Sequence, residues 1–303
     1  MPDKPKTSNY LPPLIAILAM VLVDCVWASK VDLLFTGFQN VVITITALAS
    51  ISIFYKISRR SHTLSAMAFY GILWIIFTVA AGILTYLAAR TQIPMQDIAF
   101  NKIDKLMGFD WLAFYKFVQS RSTLEFILST AYNSLLFQIV GSIIYFSHAD
   151  RNHRYFEFFW LAFCTLCMTA IGSKFFPAAG TFSYFKIDEW RGIHLPHYMQ
   201  LRGTALLTYP LQEMQGIITF PSYHAALAVI FIYIHRRQRI IFPLALMLNV
   251  LMLIATPVFG GHYLIDVIAG VSLAMVCIAS HRYFLRIKKG KVLLPERTIS
   301  LRN

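Results

Sequence analysis

Charged residues are scarce in this chain of 303 residues, in which they make up only 14% while hydrophobic residues make up 57%. A water-soluble domain carries roughly 25% charged residues, and a disordered chain needs low hydrophobicity. The mean hydropathy of +0.61 argues against both classes. Cysteine is also rare, and its four occurrences lie inside apolar runs, which argues against a disulfide-stapled secreted fold. The composition therefore predicts a polytopic membrane protein.

Sequence patterns typical of repeat proteins, nucleotide-binding proteins and nucleic-acid-binding proteins are missing as well. The sequence shows no internal repeat, no nucleotide-binding glycine loop and no basic and aromatic pattern typical of nucleic-acid binding. The net charge of +13 does not change this, because the basic residues lie at the ends of apolar segments, as they do in membrane proteins. We expect the bilayer as a partner and no nucleic acid.

Eight apolar runs approach or reach the length needed to cross about 30 Å of hydrocarbon as helices. They are residues 11–29, 36–56, 65–89, 123–147, 156–175, 220–235, 240–258 and 263–285. The sixth run is short, and the second contains Asn40 and several threonines. The pattern predicts an all-α bundle of about eight transmembrane helices.

Lysine and arginine are distributed unequally between alternate loops. With the N-terminus on the cytoplasmic side, 17 of the 27 basic residues fall on the inner side. Most of the others lie in or beside two long outer segments, 90–122 and 174–219, where the positive-inside bias is weaker. We expect an integral protein of a bacterial inner membrane, with both termini cytoplasmic.

The segment 91–122 is too polar to span the bilayer. The apolar face of its first helix comprises Ala99, Phe100, Ile103, Leu106 and Met107, and the polar face comprises Asn101, Lys102, Asp104 and Lys105. This pattern is typical of a helix lying in the membrane interface. Gly108 is expected to end it, and Asp110 to cap a second short helix. The segment either packs on the bundle as a loop helix or guides a lipid substrate.

The sixth run opens with a histidine segment, residues 216–224. Pro221 suits a first-turn position, and Ser222 is a capping residue type. His224 is therefore expected in the first helical turn, where free N–H groups and the positive end of the helix dipole favour an anion.

A second histidine segment, Gly260-Gly261-His262, opens the eighth run on the same predicted outer face. The i to i+4 spacing of His262 and Asp266 puts both side chains on one helical face, so the carboxylate can orient the imidazole and leave its other nitrogen free to attack. An aspartate inside an apolar helix costs roughly 2.5 to 3.5 kcal/mol on insertion scales and needs such a partner. The pair follows the logic of an oriented nucleophile.

A metal site is the rival use of these residues. His194 and His197 could join the two motif histidines as ligands, but they flank Pro196, and no carboxylate-rich set accompanies them. A single histidine at a helix end is, moreover, commonly an interfacial hydrogen-bonding residue. We expect neither a metal nor a cofactor.

The amino-acid sequences of both histidine segments resemble motifs of the type 2 phosphatidic acid phosphatase superfamily. Pro221-Ser222-Tyr223-His224 resembles its Pro-Ser-Gly-His motif, and His262 with Asp266 resembles the His-x3-Asp end of its third motif. The branch that looks most similar contains the inositol phosphorylceramide synthases and sphingomyelin synthase-like enzymes of sphingolipid metabolism. The resemblance covers residues 95–285.

By this resemblance, His262 is the nucleophile that forms a phosphohistidine, Asp266 orients it, and His224 protonates the leaving oxygen. The resemblance also implies that the neighbouring motif residues line the substrate site. These are Ser222, Tyr223 and Gly261. It implies a six-helix core in residues 65–285, two extra helices in residues 1–64, and a basic tail in residues 286–303.

The chain departs from the family pattern in its cations. The Ser-Arg pair expected before the third motif would align with Ala255 and Thr256, and no Lys-x6-Arg-Pro first motif is present. A transferring phosphoryl group needs positive charge around its oxygens. The candidates for that role are Arg202, Lys174 and Arg191.

Together these features predict a metal-independent lipid phosphatase or headgroup phosphotransferase, a hydrolase or transferase of lipid metabolism. Its substrate is expected to be a phosphorylated lipid at the outer leaflet, and its acceptor water or an alcohol. The alternative is a transporter or channel, which would need half-helix repeats with Gly or Pro breaks that the sequence does not show.

Overall fold

The computed structural model describes residues 11–148, 152–187 and 192–292. Within these residues it is an all-α membrane bundle with one small sheet. The helices are α1 (Leu11–Lys30), α2 (Gln39–Ser58), α3 (His62–Ala89), α4 (Asp97–Leu106), α5 (Trp111–Gln119), α6 (Ser122–Asn133), α7 (Leu135–His148), α8 (Asn152–Phe175), α9 (Thr181–Tyr184), α10 (Leu195–Leu201), α11 (Tyr223–Ile234), α12 (Ile241–Phe259) and α13 (Leu264–Val292). The strands are β1 (Leu33–Thr36) and β2 (Leu207–Pro210).

Each of the eight predicted runs coincides with a helix or a helix pair, which confirms the predicted fold class. In the described part of the chain, six helices are long and apolar enough to cross a membrane. The fourth run is the pair α6 and α7, bent by 47°, and the sixth is α11, which has only 12 residues. The bend lies at Ser134, whose hydroxyl donates to the carbonyl of Ala131 at 2.7 Å, a bond that competes with the helix ladder.

Aromatic side chains fill the centre of the bundle, where α3, α8 and α11 pack together. Trp74 of α3 stacks on Phe158 of α8 with ring centroids 4.5 Å apart. Two glycines then let the start of α11 approach its neighbours. A Cβ on Gly172 of α8 would lie 2.6 Å from Pro221, and one on Gly270 of α13 would lie 2.2 Å from the carbonyl oxygen of Ser222. Close packing thus fixes the position at which α11 begins.

The N-terminal helices pack on one side of α3. Both α1 and α2 contact α3, and α2 has no fully buried residue. After α1 the chain forms β1, which pairs in parallel with β2, so that Leu33 lies opposite Leu207. This pairing joins the N-terminal segment to the long connection between α8 and α11. The hydropathy pattern did not indicate it.

The predicted amphipathic helix is present as α4, and part of its polar face packs against the protein, while Lys102 and Lys105 of that face are exposed. Asn101 and Asp104 are buried, whereas Ile98 and Leu106 are 75% and 78% exposed. Most of the apolar side is therefore left facing outward, as in an interfacial helix, whereas Phe100 of the predicted apolar face is buried against Phe220 and Tyr263. The predicted ends are also confirmed: Gly108 follows α4 with φ +79°, and the carboxylate of Asp110 caps α5 by accepting from the N–H of Ala113 at 2.9 Å.

Candidate active site

The two histidine segments begin α11 and α13 side by side. The N–H of Ser222 donates to the carbonyl of Asp266 at 3.0 Å, which joins the two helix starts. The Ser222 hydroxyl caps α11 by accepting from Ala225, and it lies 3.3 Å from Nε2 of His262. Ser222 is therefore confirmed as the cap and connects both motifs.

Pro221 does not lie in the first turn of α11, contrary to the sequence expectation. The helix begins at Tyr223, after Ser222, whose backbone is extended with ψ 114°. The proline therefore precedes the cap and packs against Gly172 of α8. The error in register arose because proline suits both positions, and only the packing of α8 selects one of them.

His262 and Asp266 face each other, as their spacing predicts. Nδ1 of His262 lies 3.5 Å from Oδ2 of Asp266, and the same oxygen accepts from the N–H of Tyr263 at 2.8 Å. Both side chains are buried, at 3% and 0% exposure. With Nδ1 on the carboxylate side, Nε2 is the nitrogen directed toward the start of α11.

Burial also sets the protonation state of His262. Loss of hydration lowers the pKa of its imidazole from an ordinary 6.5 to about 4. The ring is thus neutral near neutral pH. A neutral imidazole has a nitrogen lone pair available, which is the form that a nucleophile or a metal ligand requires.

His224 lies beside this pair and is held by a residue that the sequence did not reveal. Its ring stacks on Tyr132 of α6 with centroids 4.4 Å apart, and it lies within electrostatic range of His262. A Cβ on Gly260 would lie 2.8 Å from the Tyr132 hydroxyl and 2.5 Å from Cδ2 of His262. Tyr132 therefore contacts His224 and also lies close to Gly260, two residues before His262. Only the packing of α6 against α12 brings it there.

Two aspartates of α4 hold the loops around the histidines. Asp97 accepts from the N–H groups of Ala179 and Gly180 at 3.0 and 2.8 Å and from the hydroxyl of Tyr263 at 3.0 Å. Asp104 accepts from the first two N–H groups of α13, those of Leu264 and Ile265, at 2.7 and 3.0 Å. The polar face of α4 thus holds the segment that carries His262.

Burial raises the pKa of Asp104, and its two backbone donors oppose this by favouring the charged form. The chemistry of the cap depends on that charge, because an ionised carboxylate accepts two strong hydrogen bonds at a helix start. Neither Asp97 nor Asp104 was singled out from the sequence, where both resemble ordinary residues of a solvated helix face.

Two glycines permit the close approach of the loops. Gly180 and Gly261 have φ values of +92° and +63°, and the N–H of Thr181 donates to the carbonyl of Gly261 at 2.8 Å. A Cβ on Gly261 would lie 2.6 Å from the ring of Phe182. Gly261, a predicted substrate-site residue, is therefore adjacent to His262 and has no room for a side chain.

Among the described residues, the predicted cations Arg202 and Lys174 contact groups other than the two motif histidines. Nη2 of Arg202 donates to the carbonyl of Ile93 at 2.6 Å, and its Nη1 is buried without a hydrogen-bond partner among the described residues. The Lys174 ammonium lies over the ring of Trp27 at 4.4 Å. Arg191 lies outside the described residues.

Of the remaining predicted residues, Tyr223 and His197 contact groups away from His262, whereas His194 lies within electrostatic range of it. The Tyr223 hydroxyl donates to the carbonyl of Ala162 on α8 at 3.0 Å, away from His262. His194 is half-buried, and burial, with His262 as a second cause, lowers its pKa to about 4. His197 instead contacts the hydroxyl of Tyr86 at 3.0 Å. Over the described ranges, no group of three or more His, Cys, Asp or Glu side chains is placed to hold a metal ion.

Replacing Asp104 with alanine should disturb the site from a distance. The change leaves the buried N–H groups of Leu264 and Ile265 without acceptors, which costs about 1–3 kcal/mol of unfolding free energy. Displacement of the neighbouring His262 should lower turnover by up to about 10²-fold. Turnover and thermal unfolding of purified protein measure both effects.

Asp110→Ala is the matched control, because Asp110 is exposed and its carboxylate caps α5 rather than the His262 segment. It should leave turnover near the wild-type value. Equal turnover in the two variants would contradict a positioning role for Asp104.

A family model described as PAP2 superfamily matches residues 98–280, which is more than half of the chain. The match begins in α4 and includes His224, His262 and Asp266, whereas α1 to α3 precede it. No curated protein and no solved structure matches the chain significantly.

Proposed function

The chain belongs to the PAP2 superfamily, and on this basis we propose that it transfers a phosphoryl group or a phospho-headgroup from a lipid through a phosphohistidine at His262. Membership of the superfamily supports phosphatase or phosphotransferase activity in general. The observation that carries the specific proposal is the geometry of His262, whose Nδ1 faces Asp266 while Nε2 points to the start of α11.

In the first step, Nε2 of neutral His262 attacks phosphorus and the bond from phosphorus to the leaving oxygen breaks. The imidazole becomes positively charged, and the carboxylate of Asp266 stabilises that charge at Nδ1–H. His224 donates a proton to the leaving oxygen. The negative phosphate itself favours the protonated form of His224 when it enters the site.

In the second step, water or an alcohol attacks the phosphohistidine and the bond from phosphorus to Nε2 breaks. His224, now neutral, accepts the proton of the attacking hydroxyl, so both histidines return to their starting states. Water gives a phosphatase and an alcohol gives a phosphotransferase. Both reactions use the same catalytic residues, His262, Asp266 and His224.

Charge on the phosphoryl oxygens needs further donors, because Asp104 already accepts from the first N–H groups of α13. Arg202 is the best-supported cation, since its Nη1 is buried without a partner in the part of the chain described and a buried guanidinium group favours an anion. Lys174 and Arg191 remain alternatives. Gly261 contributes by allowing close approach of the backbone.

A lipid substrate is supported by the surroundings of the site. The exposed apolar side of α4, which includes Ile98 and Leu106, suits the headgroup level of a bilayer. The opposite side of α4 holds the His262 segment, so the site would lie at that level. The sequences of the two histidine motifs support the sphingolipid-type phosphotransferase branch. In this proposal, residues 65–285 form the catalytic core and residues 1–64 are an N-terminal addition.

Phosphate release from lipid phosphates by the purified protein tests this function. We expect activity in the presence of a chelator, because the histidines and a partly buried arginine together supply the positive charge that a metal ion would otherwise provide. Vanadate should inhibit, since its trigonal-bipyramidal form mimics the transferring group. Activity that is lost in chelator and restored by Mg²⁺ or Zn²⁺ would contradict metal independence. Transport without any phosphoryl transfer would favour the transporter or channel alternative.

The proposed orientation places the site on the periplasmic side and both termini in the cytoplasm. In a variant without native cysteines, Thr204→Cys should react with an impermeant thiol reagent added to intact cells, because this exposed position lies in the outer loop. Arg239→Cys, exposed beyond the opposite end of α11, is the matched control and should react only after permeabilisation. The reverse labelling pattern would invert the topology.

A further inference from the structure

A cavity of about 390 Å³ lies among the N-terminal elements α1, β1, α2 and α3. Its lining residues all fall between positions 21 and 83, outside the family-matched region 98–280. Its size is within the range of small-molecule sites, which are mostly apolar with a few placed polar groups. The cavity therefore belongs to the part of the chain that the family does not explain.

Asp24 is the one charged residue in the lining of this cavity. Its side chain is buried, at 3% exposure, and neither carboxylate oxygen has a hydrogen-bond partner among the residues described. The other walls are apolar and include Phe35, Val41 and Ala80. A carboxylate in such surroundings is costly unless a partner compensates it.

Two other buried acids, Glu157 and Asp104, differ from Asp24 in having partners. Glu157 pairs with Arg154 at 2.7 Å and with Arg236 at 2.8 Å, and Asp104 accepts from two backbone N–H groups. Each of these carboxylates is satisfied within the described chain. Asp24 instead lines an open volume, and neither of its buried carboxylate oxygens has a partner among the described residues, which is the arrangement of a binding group.

We propose that this cavity binds an amphiphile with one alkyl chain and a protonated amine. The ammonium group donates to Asp24 and neutralises it, and the chain lies against the apolar walls. An anionic lipid would be repelled, and a neutral alcohol would supply a hydrogen bond without balancing charge. A hard metal ion needs six or more oxygen ligands, whereas Asp24 offers the single carboxylate here.

The cavity is also connected to the outer loop. Leu33 and Phe35 of β1 line it, and β1 pairs with β2 of that loop. A second cavity of about 540 Å³ shares the wall residues Val41 and Val79 and extends to Gly216, which precedes the first histidine motif. The proposed ligand thus has room to extend toward the loop, but its binding does not depend on phosphoryl transfer.

Binding of dodecylamine and dodecanol to the purified full-length protein in detergent tests the proposal, with native mass spectrometry as the measurement. The two probes share a chain and differ in the charge of the head. We expect the amine to bind roughly tenfold or more tightly than the alcohol, because only the amine forms a charge-assisted bond with Asp24. Equal binding of the two probes would overturn the proposal.

Two variants test the contributions of the charged head group and the alkyl chain of the probe separately. Asp24→Asn keeps the shape but removes the charge, so the preference for the amine should disappear while the alcohol still binds. Asp32→Asn, an exposed acid just after α1, is the matched control and should keep the preference. Ala80→Leu fills the cavity and should weaken both probes. An unchanged preference in Asp24→Asn, or unchanged binding in Ala80→Leu, would refute this site.

Discussion

His262→Gln should lower turnover on a lipid phosphate by on the order of 10⁴-fold or more, because the covalent route is lost with the nucleophile. Glutamine retains a polar group of similar size at a position that is 3% exposed, so the bundle should still form. Phosphate release under single-turnover conditions measures the loss, and thermal unfolding checks the fold.

His197→Gln is the control for this change. His197 contacts Tyr86 at 3.0 Å, outside the group formed by His262, Asp266 and Ser222. It should keep most of the activity. Turnover of His262→Gln within about tenfold of the wild type would rule out a covalent role at this position.

His224→Ala should lower turnover by roughly 10² to 10⁴-fold, the contribution of a general acid. A substrate with an acidic leaving group needs less protonation, so a nitrophenyl phosphate analogue should recover much of the relative activity. The measurement, made for each variant, is the kcat/KM for the nitrophenyl phosphate analogue divided by the kcat/KM for the lipid phosphate. The ratio should rise in His224→Ala and stay near the wild-type value in Asp104→Ala, which impairs positioning rather than proton transfer.

The comparison of the two substrates could also contradict the general-acid role of His224. Equal losses on both substrates in His224→Ala would mean that His224 does not protonate the leaving oxygen. Its stacking contact with Tyr132 at 4.4 Å would then be its main role. Turnover of the acidic analogue by His262→Gln would be a separate contradiction, because that variant lacks the nucleophile for either substrate.

Features governed by local sequence were predictable. Hydropathy located the membrane helices, Gly108 and Asp110 marked the end of α4 and the start of α5, and the spacing of His262 and Asp266 placed them together. Each of these follows from helix periodicity or capping, which act over a few residues. The superfamily was predictable for the same reason, since its motifs are short.

Features governed by tertiary packing were not predictable. Asp104 lies 160 residues from Leu264, to which it bonds, and Tyr132 is brought to His224 only by the packing of α6. The position of Pro221 before the cap depends on contact with α8. The parallel pairing of β1 with β2 is likewise a contact between distant segments. No local pattern specifies which distant partner a polar side chain meets.

The most direct test of the central claim is to trap the covalent intermediate. Wild-type protein incubated with a radiolabelled lipid phosphate and quenched rapidly should carry an acid-labile label, and mass spectrometry should locate it on the peptide that contains His262. His262→Gln should carry none. A label on any other residue, or an equal label in His262→Gln, would contradict the assignment of His262 as the nucleophile.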